Sequence, residues 1–258
     1  MNSVSATATP YDHFGFSMDA GLAARARIGL VVLATDHTLE YEWRHLLTQP
    51  GVAFYESRLY NAAEIAPATL AAMEQDIRPA VELILPGIDL QVVAFGCTSG
   101  TLVIGEGNVF ARIREARPGV ACTTPLTGAM AALKALGARR IALLTPYVAS
   151  INQLFAEHIE GAGIQVTRIG SFNHADDNEV ARIDHGSLRR AALALGNHAE
   201  VDAVFVSCTS LRMASLIPTL ERELGKPVIS SNYAMAWHAL RLAGVHDAQP
   251  QLGSLFAQ

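Results

Sequence analysis

The chain has 258 residues, half of them hydrophobic and 17% charged, enough apolar material for one large core or two ordinary ones. A net charge of −5 without a basic cluster argues against nucleic acid or a polybasic membrane surface as a partner, and no apolar run reaches the roughly 18 residues that span a bilayer. Three widely spaced cysteines, Cys97, Cys122 and Cys208, make neither a disulfide framework nor a metal-ligand pattern, so free thiols, no metal site and a cytoplasmic location are expected.

Residues 1–25 lack a charged start followed by an apolar stretch and read as a flexible arm. Its aromatics Tyr11, Phe14 and Phe16 suit a contact in a homodimer or homotetramer. The continuous apolar run Arg27–Ala34 predicts a strand. LEYEWRHLL (39–47) then reads as a helix, with Asp36 and Thr38 as capping candidates. Ala66–Leu85 predicts a helix, Val92–Gly96 a strand ending at Cys97, and GEGN (105–108) a turn before a helix-like run. Gly119–Ala121 and Leu126–Gly137 predict a strand and a helix. The pattern repeats as strand Arg140–Thr145, helix Ile151–Gly163, strand Val166–Gly170 and helix Gly186–Gly196. Strand Ala203–Ser207, helix Met213–Leu224, strand Val228–Ser230 and helix Ala234–Gly244 complete it. Continuous apolar strands alternating with helices predict doubly wound α/β architecture with parallel sheets covered on both faces.

The chain also repeats itself. IGLVVLATDHT (from Ile28) and VVAFGCTSG (around Cys97) are matched by IALLTPYVAS (from Ile141) and AVFVSCTSL (around Cys208). Cys97 follows Asp36 by 61 residues, and Cys208 follows Tyr147 by the same 61. GAMAALKALGARR and YAMAWHALRLAGVH close the two halves alike. Two similar lobes related by a pseudo-twofold axis are therefore expected, residues 26–138 and 139–258, with the last helix free to cross onto the first lobe. Ligands of open α/β sheets bind beyond the carboxyl ends of the strands, where both cysteines fall. A cleft between the lobes would then put the thiols on opposite faces of one small ligand. Each thiol is also expected to precede a helix start, whose free N–H groups favour a thiolate.

These residues resemble the Asp/Glu racemase superfamily, and within it the branch holding maleate cis-trans isomerases, arylmalonate decarboxylases and the ectoine-utilisation protein A group. The likeness rests on CTSG at Cys97, SCTSLR at Ser207–Arg212, RRIALLTPY at Arg139–Tyr147 and ADDNEVARI at Ala175–Ile183, and covers roughly residues 26–245. It implies a cofactor-independent isomerase or racemase of a small carboxylic or amino acid, with Cys97 as nucleophile and Cys208 as proton donor. Tyr147 would touch a substrate carboxylate, and Thr98, Ser99, Thr209 and Ser210 would offer hydroxyls and N–H groups to developing negative charge. Decarboxylases of the branch keep only the second thiol.

Where maleate isomerases carry Asn in the first loop, this chain has Asp36; in the DN-x-EV segment it has Asp177, with Asn178 one place later. An acid repels a carboxylate that an amide would hold. Two acids in place of two amides point to a substrate with an ammonium or other cationic nitrogen, as in the diaminobutyrate derivatives of ectoine degradation. Decarboxylation through Cys208 alone and a non-catalytic binding module are the alternatives. Cys122, without a mirrored partner, is expected to pack, and His37 to lie exposed on its loop.

Overall fold

The computed structural model describes residues 11–258. Part of the N-terminal arm, residues 1–10, lies outside the described residues. Residues 11–20 have no regular structure and expose Tyr11, Phe14, Phe16 and Met18.

The first lobe runs β1 (Ala26–Leu33), α1 (Leu39–Leu46), β2 (Val52–Leu59), α2 (Pro67–Ala72), α3 (Glu74–Glu82) and β3 (Val92–Gly96). It continues through α4 (Thr98–Ile104), α5 (Glu106–Ala116), β4 (Ala121–Thr123) and α6 (Pro125–Ala135). The second runs β5 (Arg140–Thr145), α7 (Ala149–Gly161), β6 (Gln165–Ser171), α8 (Asp177–Val180), α9 (His185–Gly196) and β7 (Ala203–Val206). It ends with α10 (Ile217–Leu224), β8 (Val228–Ser230) and α11 (Ser231–Leu242). Each lobe holds a four-stranded parallel sheet, ordered β2-β1-β3-β4 in the first and β6-β5-β7-β8 in the second. The order is the same in both, as the internal repeat requires.

The central strands β3 and β7 are apolar throughout and have no exposed residue. The edge strand β2, VAFYESRL, buries only Leu59 and mixes Glu56, Ser57 and Arg58 with its apolar residues. That blurred pattern hides it from a search for continuous runs. β4 starts two residues later than Gly119–Ala121, because Gly119 takes φ 76° in the preceding turn. The helix expected over Ala66–Leu85 breaks at Met73 into α2 and α3.

α11 leaves the end of the second sheet and packs against α6, β3 and β4 of the first lobe, and against α1. One apolar core consequently runs through both lobes, including Ile28, Leu30 and Trp43 from the first and Leu143, Phe205 and Met235 from the second. A second cluster, with Val31, Val93, Phe95 and Cys122, covers the other face of the first sheet. No helix among the described residues is long and apolar enough to cross a membrane.

Candidate active site

The loops after β1, β3, β5 and β7 meet where the two sheets face each other, at the points where strand order reverses. They enclose a narrow cavity lined by Cys97, Thr98 and Ser99 from the first lobe and Tyr147, Asp177, Cys208 and Thr209 from the second. Its free volume is about 20 Å3, room for a single water. Asn61, Glu64, Thr69 and Met73, on the segment between β2 and α3, contribute further parts of the wall. This segment is joined across the cleft to residues 175–177: Ile65 N–H donates to Ala175 O at 2.9 Å and Asp177 N–H to Ala63 O at 3.0 Å.

Cys97 caps α4, its Sγ accepting the Gly100 N–H at 3.2 Å, with Ser99 Oγ at 3.9 Å. Cys208 is different. The expected helix start is absent: residues 209–216 contain turns and irregular backbone but no helix, and α10 begins only at Ile217. Cys208 itself sits at φ 148°, a region L-residues rarely adopt. Its N–H donates to Ser231 Oγ at 3.0 Å, and Thr98 Oγ1 donates to the same oxygen at 2.9 Å. Ser231, the first residue of α11, thus ties the two cysteine turns together.

The expectation of resting thiolates does not hold. Burial pushes the Cys97 thiol up to about 12 despite the Gly100 N–H, and the carboxylates of Asp177 and Asp36 push the same way. Cys208 is raised further by burial and by the same two acids, against a lowering contact from Tyr147. Both side chains are almost inaccessible. Without a ligand the cavity holds two neutral thiols. The Tyr147 hydroxyl adjoins Cys208 and Ser99, and its own pKa is raised by burial and by Cys208. The ring stacks on Phe155 at 5.3 Å.

Asp177 accepts Ser210 Oγ at 2.7 Å and Thr35 Oγ1 at 2.5 Å, so Ser210 supports the acid from behind rather than lining the cavity. Asn61 donates to Thr35 Oγ1 at 2.7 Å, completing a chain that orients the carboxylate. Asp36 lies behind the cavity wall. Its Oδ1 accepts the N–H groups of Thr38 and Leu39, both at 2.7 Å, at the start of α1. Its Oδ2 has no well-aligned partner. Asn178 does not reach the cavity: it is exposed, and its Oδ1 pairs with His37 Nε2 at 2.9 Å. Sequence reading passed over Asn61, Thr35 and Arg58. Arg58 donates to the carbonyls of Leu33, Ala34 and Asp36 and so shapes the Asp36 loop, but it sits on the edge strand that the apolar pattern missed.

Buried Asp36 and Asp177 are both held above the usual carboxylate range, mainly by burial. Raised acids bind protons more tightly in the folded chain. The cost of ionising them is absent below about pH 4, where the unfolded chain is protonated too, and it grows as pH rises. Each unit of raised pKa is worth about 1.4 kcal/mol. Asp36→Asn keeps the capping oxygen, so its stability relative to the parent should increase between pH 4 and 8 in calorimetric scans. A difference that stays constant over that range would refute the assignment.

Comparison with known proteins adds relatives to this geometry. The model of the arylmalonate decarboxylase family matches residues 64–256. The maleate isomerase of Nocardia farcinica is 31% identical over 242 residues, covering 90% of this chain and 96% of that protein. The arylmalonate decarboxylase of Bordetella bronchiseptica is 36% identical over 146 residues, 56% of this chain and 60% of that one. A structure of the Nocardia farcinica maleate cis-trans isomerase, a cysteine-to-serine variant with a covalently bound succinylcysteine intermediate, superposes with a TM-score of 0.82. The identity is 29%, over 90% of this chain and 98% of that chain. A crystal structure of arylmalonate decarboxylase superposes at 0.72 with 28% identity, over 89% and 98% of the two chains.

Proposed function

Since the chain belongs to the arylmalonate decarboxylase family, we propose that it is a cofactor-independent isomerase of a small carboxylic acid, with Cys97 and Cys208 acting from opposite faces. The coverage of the maleate isomerases over nearly their whole length, and two thiols in one cavity, favour isomerisation over the one-thiol decarboxylation. The substrate we infer is an acid that also bears a cationic nitrogen, of the diaminobutyrate type met in ectoine degradation. One observation carries this: among the described residues, the cavity wall contains Asp177 and Glu64 and no Lys, Arg or His.

The electrostatics then fit together. Both thiols are held neutral by burial and by Asp177 and Asp36. An incoming ammonium offsets those carboxylates, lowers the thiol pKa and makes a thiolate attainable; a second substrate carboxylate would do the opposite. One thiolate removes the proton α to the carboxylate, or adds to an adjacent alkene carbon. The electron pair moves into the carboxylate as an enediolate, and the other thiol delivers a proton from the far face. Thr98, Ser99, Thr209 and the Tyr147 hydroxyl supply donors to the oxygens where charge develops. Inversion at carbon follows from the first route. Addition, rotation and elimination follow from the second. We further infer that the enzyme works in the cytoplasm as a homo-oligomer.

The test is incubation in heavy water with maleate, aspartate, glutamate, arylmalonates, and diaminobutyrate with its N-acetyl forms, followed by proton NMR. Isomerisation, inversion or α-exchange of an amine-bearing acid is expected. Rapid turnover of maleate with none of any amine-bearing acid would overturn the substrate assignment, and release of carbon dioxide from an arylmalonate would overturn isomerisation. Asp177→Asn is expected to shift preference from the amine-bearing acid towards the dianion by about tenfold, roughly 1.4 kcal/mol of discrimination, read as a ratio of kcat/KM values.

A further inference from the structure

We propose that Glu42, together with Asn232, is a positioning residue that holds the strained Cys208 turn against Cys97, acting from the first lobe on the thiol of the second. The proposal rests on Cys208 being a reacting thiol. Backbone strain at a functional residue persists only where its surroundings over-determine it. Cys208 at φ 148° has no helix behind it to do so.

The support comes from the other lobe and from α11. Thr38 Oγ1 donates to Ser210 O at 2.9 Å. Asn232 Nδ2 donates to Thr209 O at 2.7 Å and to Glu42 Oε2 at 2.8 Å. Glu42 Oε1 accepts the Ala214 N–H at 2.6 Å. Glu42 therefore grips the far end of the turn directly and its near end through Asn232. The amide orientation of Asn232 is dictated, since both of its neighbours are acceptors. Trp43 Nε1 donates to Asn232 O at 3.2 Å and fixes the base of the clamp.

Charge makes the choice of residue informative. Glu42 is almost fully buried, and its hydrogen-bond donors are a backbone N–H and an amide, with no cation. A buried carboxylate on neutral donors alone is costly. Glutamine fills the same volume without that cost, but it has one acceptor oxygen where this site aims a donor at each of two. The geometry needs both oxygens of a carboxylate. Neither Glu42 nor Asn232 lines the substrate cavity, so the expected role is alignment of Cys208 rather than contact with substrate.

Two variants test this, Glu42→Gln and Asn232→Ala, the second leaving the Ala214 contact in place. With the acid that the parent turns over, kcat should fall about 10–100-fold while KM stays within about threefold, the signature of a displaced reacting group. Peptide-resolved alkylation with iodoacetamide should show Cys208 labelled about tenfold faster in both variants, with Cys97 and Cys122 at parental rates. Equal acceleration at all three cysteines, which reports general loosening, would overturn the proposal, as would unchanged kcat and Cys208 labelling in both variants. The labelling needs no substrate. Failure of the premise that Cys208 reacts would instead appear as full turnover in Cys208→Ser, whatever Glu42 does.

Discussion

Cys97→Ser and Cys208→Ser are each expected to lower kcat/KM by roughly 10^2–10^4-fold, the range that one positioned proton-transfer group contributes. A serine hydroxyl has nearly the shape of the thiol but does not ionise at any working pH, so it neither removes a carbon-bound proton nor adds to an alkene. The site adds to this. Both thiols already lie above their ordinary pKa because they are buried beside acids, and an alkoxide in their place would be less favourable still. The double variant should be little worse than either single one, because two groups acting in one proton-transfer sequence are not additive. Cys122→Ser is the control. Cys122 pairs with Val93 in the first sheet, its thiol approaches Val120 O at 3.4 Å, and it packs in the outer core of the first lobe, away from the cavity. Its turnover should stay within about twofold of the parent. Full activity in Cys97→Ser with loss in Cys208→Ser would identify one-thiol chemistry and overturn the isomerase reading.

How much of this was legible beforehand depends on whether a feature leaves a one-dimensional trace. The buried strands β1, β3, β5 and β7 did, because parallel strands covered on both faces carry continuous apolar runs, broken here only at the ends of β1 and β5. The repeat did too, and the identical strand order of the two sheets is its three-dimensional form. The edge strand β2 left no such trace, and with it went Arg58 and Asn61, which shape the Asp36 loop and orient Asp177 through Thr35. The thiol electrostatics lie outside local pattern: burial, with Asp36 and Asp177 from distant segments, raises even Cys97, which does cap its helix. Local pattern predicts a helix start after each CTS motif, which holds at Cys97 and fails at Cys208, whose turn is held by Thr38, Glu42 and Asn232, far from it in sequence. Asn178 beside Asp177 shows the limit of adjacency: one residue enters the cavity and its neighbour faces solvent.

The helix that carries Ser231 and Asn232 gives the last prediction, which concerns stability. Gly128 on α6 lies so close to α11 that a Cβ built there would sit 2.8 Å from Met235 Cα and 2.9 Å from the carbonyl carbon and oxygen of Ala234. These are backbone atoms, so no rotamer change relieves the contact and the helices must separate. The seam is built for close approach, with Gly128, Ala129 and Ala132 on α6 and Ala234, Ala236 and Ala239 on α11 all buried. Gly128→Ala is expected to cost about 1–3 kcal/mol, the range for overpacking a well-filled core, with a Tm lower by about 2–4 °C per kcal/mol at this chain length. The displacement also moves Ser231, which holds Cys208 N–H and Thr98 Oγ1, so kcat should fall in the fraction that remains folded. Gly107→Ala on α5 is the matched comparison, since nothing lies within 4 Å of its Cβ position. There the same methyl group should stabilise by roughly 0.5–1 kcal/mol, through helix propensity alone. If both alanines move the Tm in the same direction and by the same amount, helix propensity governs the two sites and the α6–α11 seam is not what holds the cysteine turns in place.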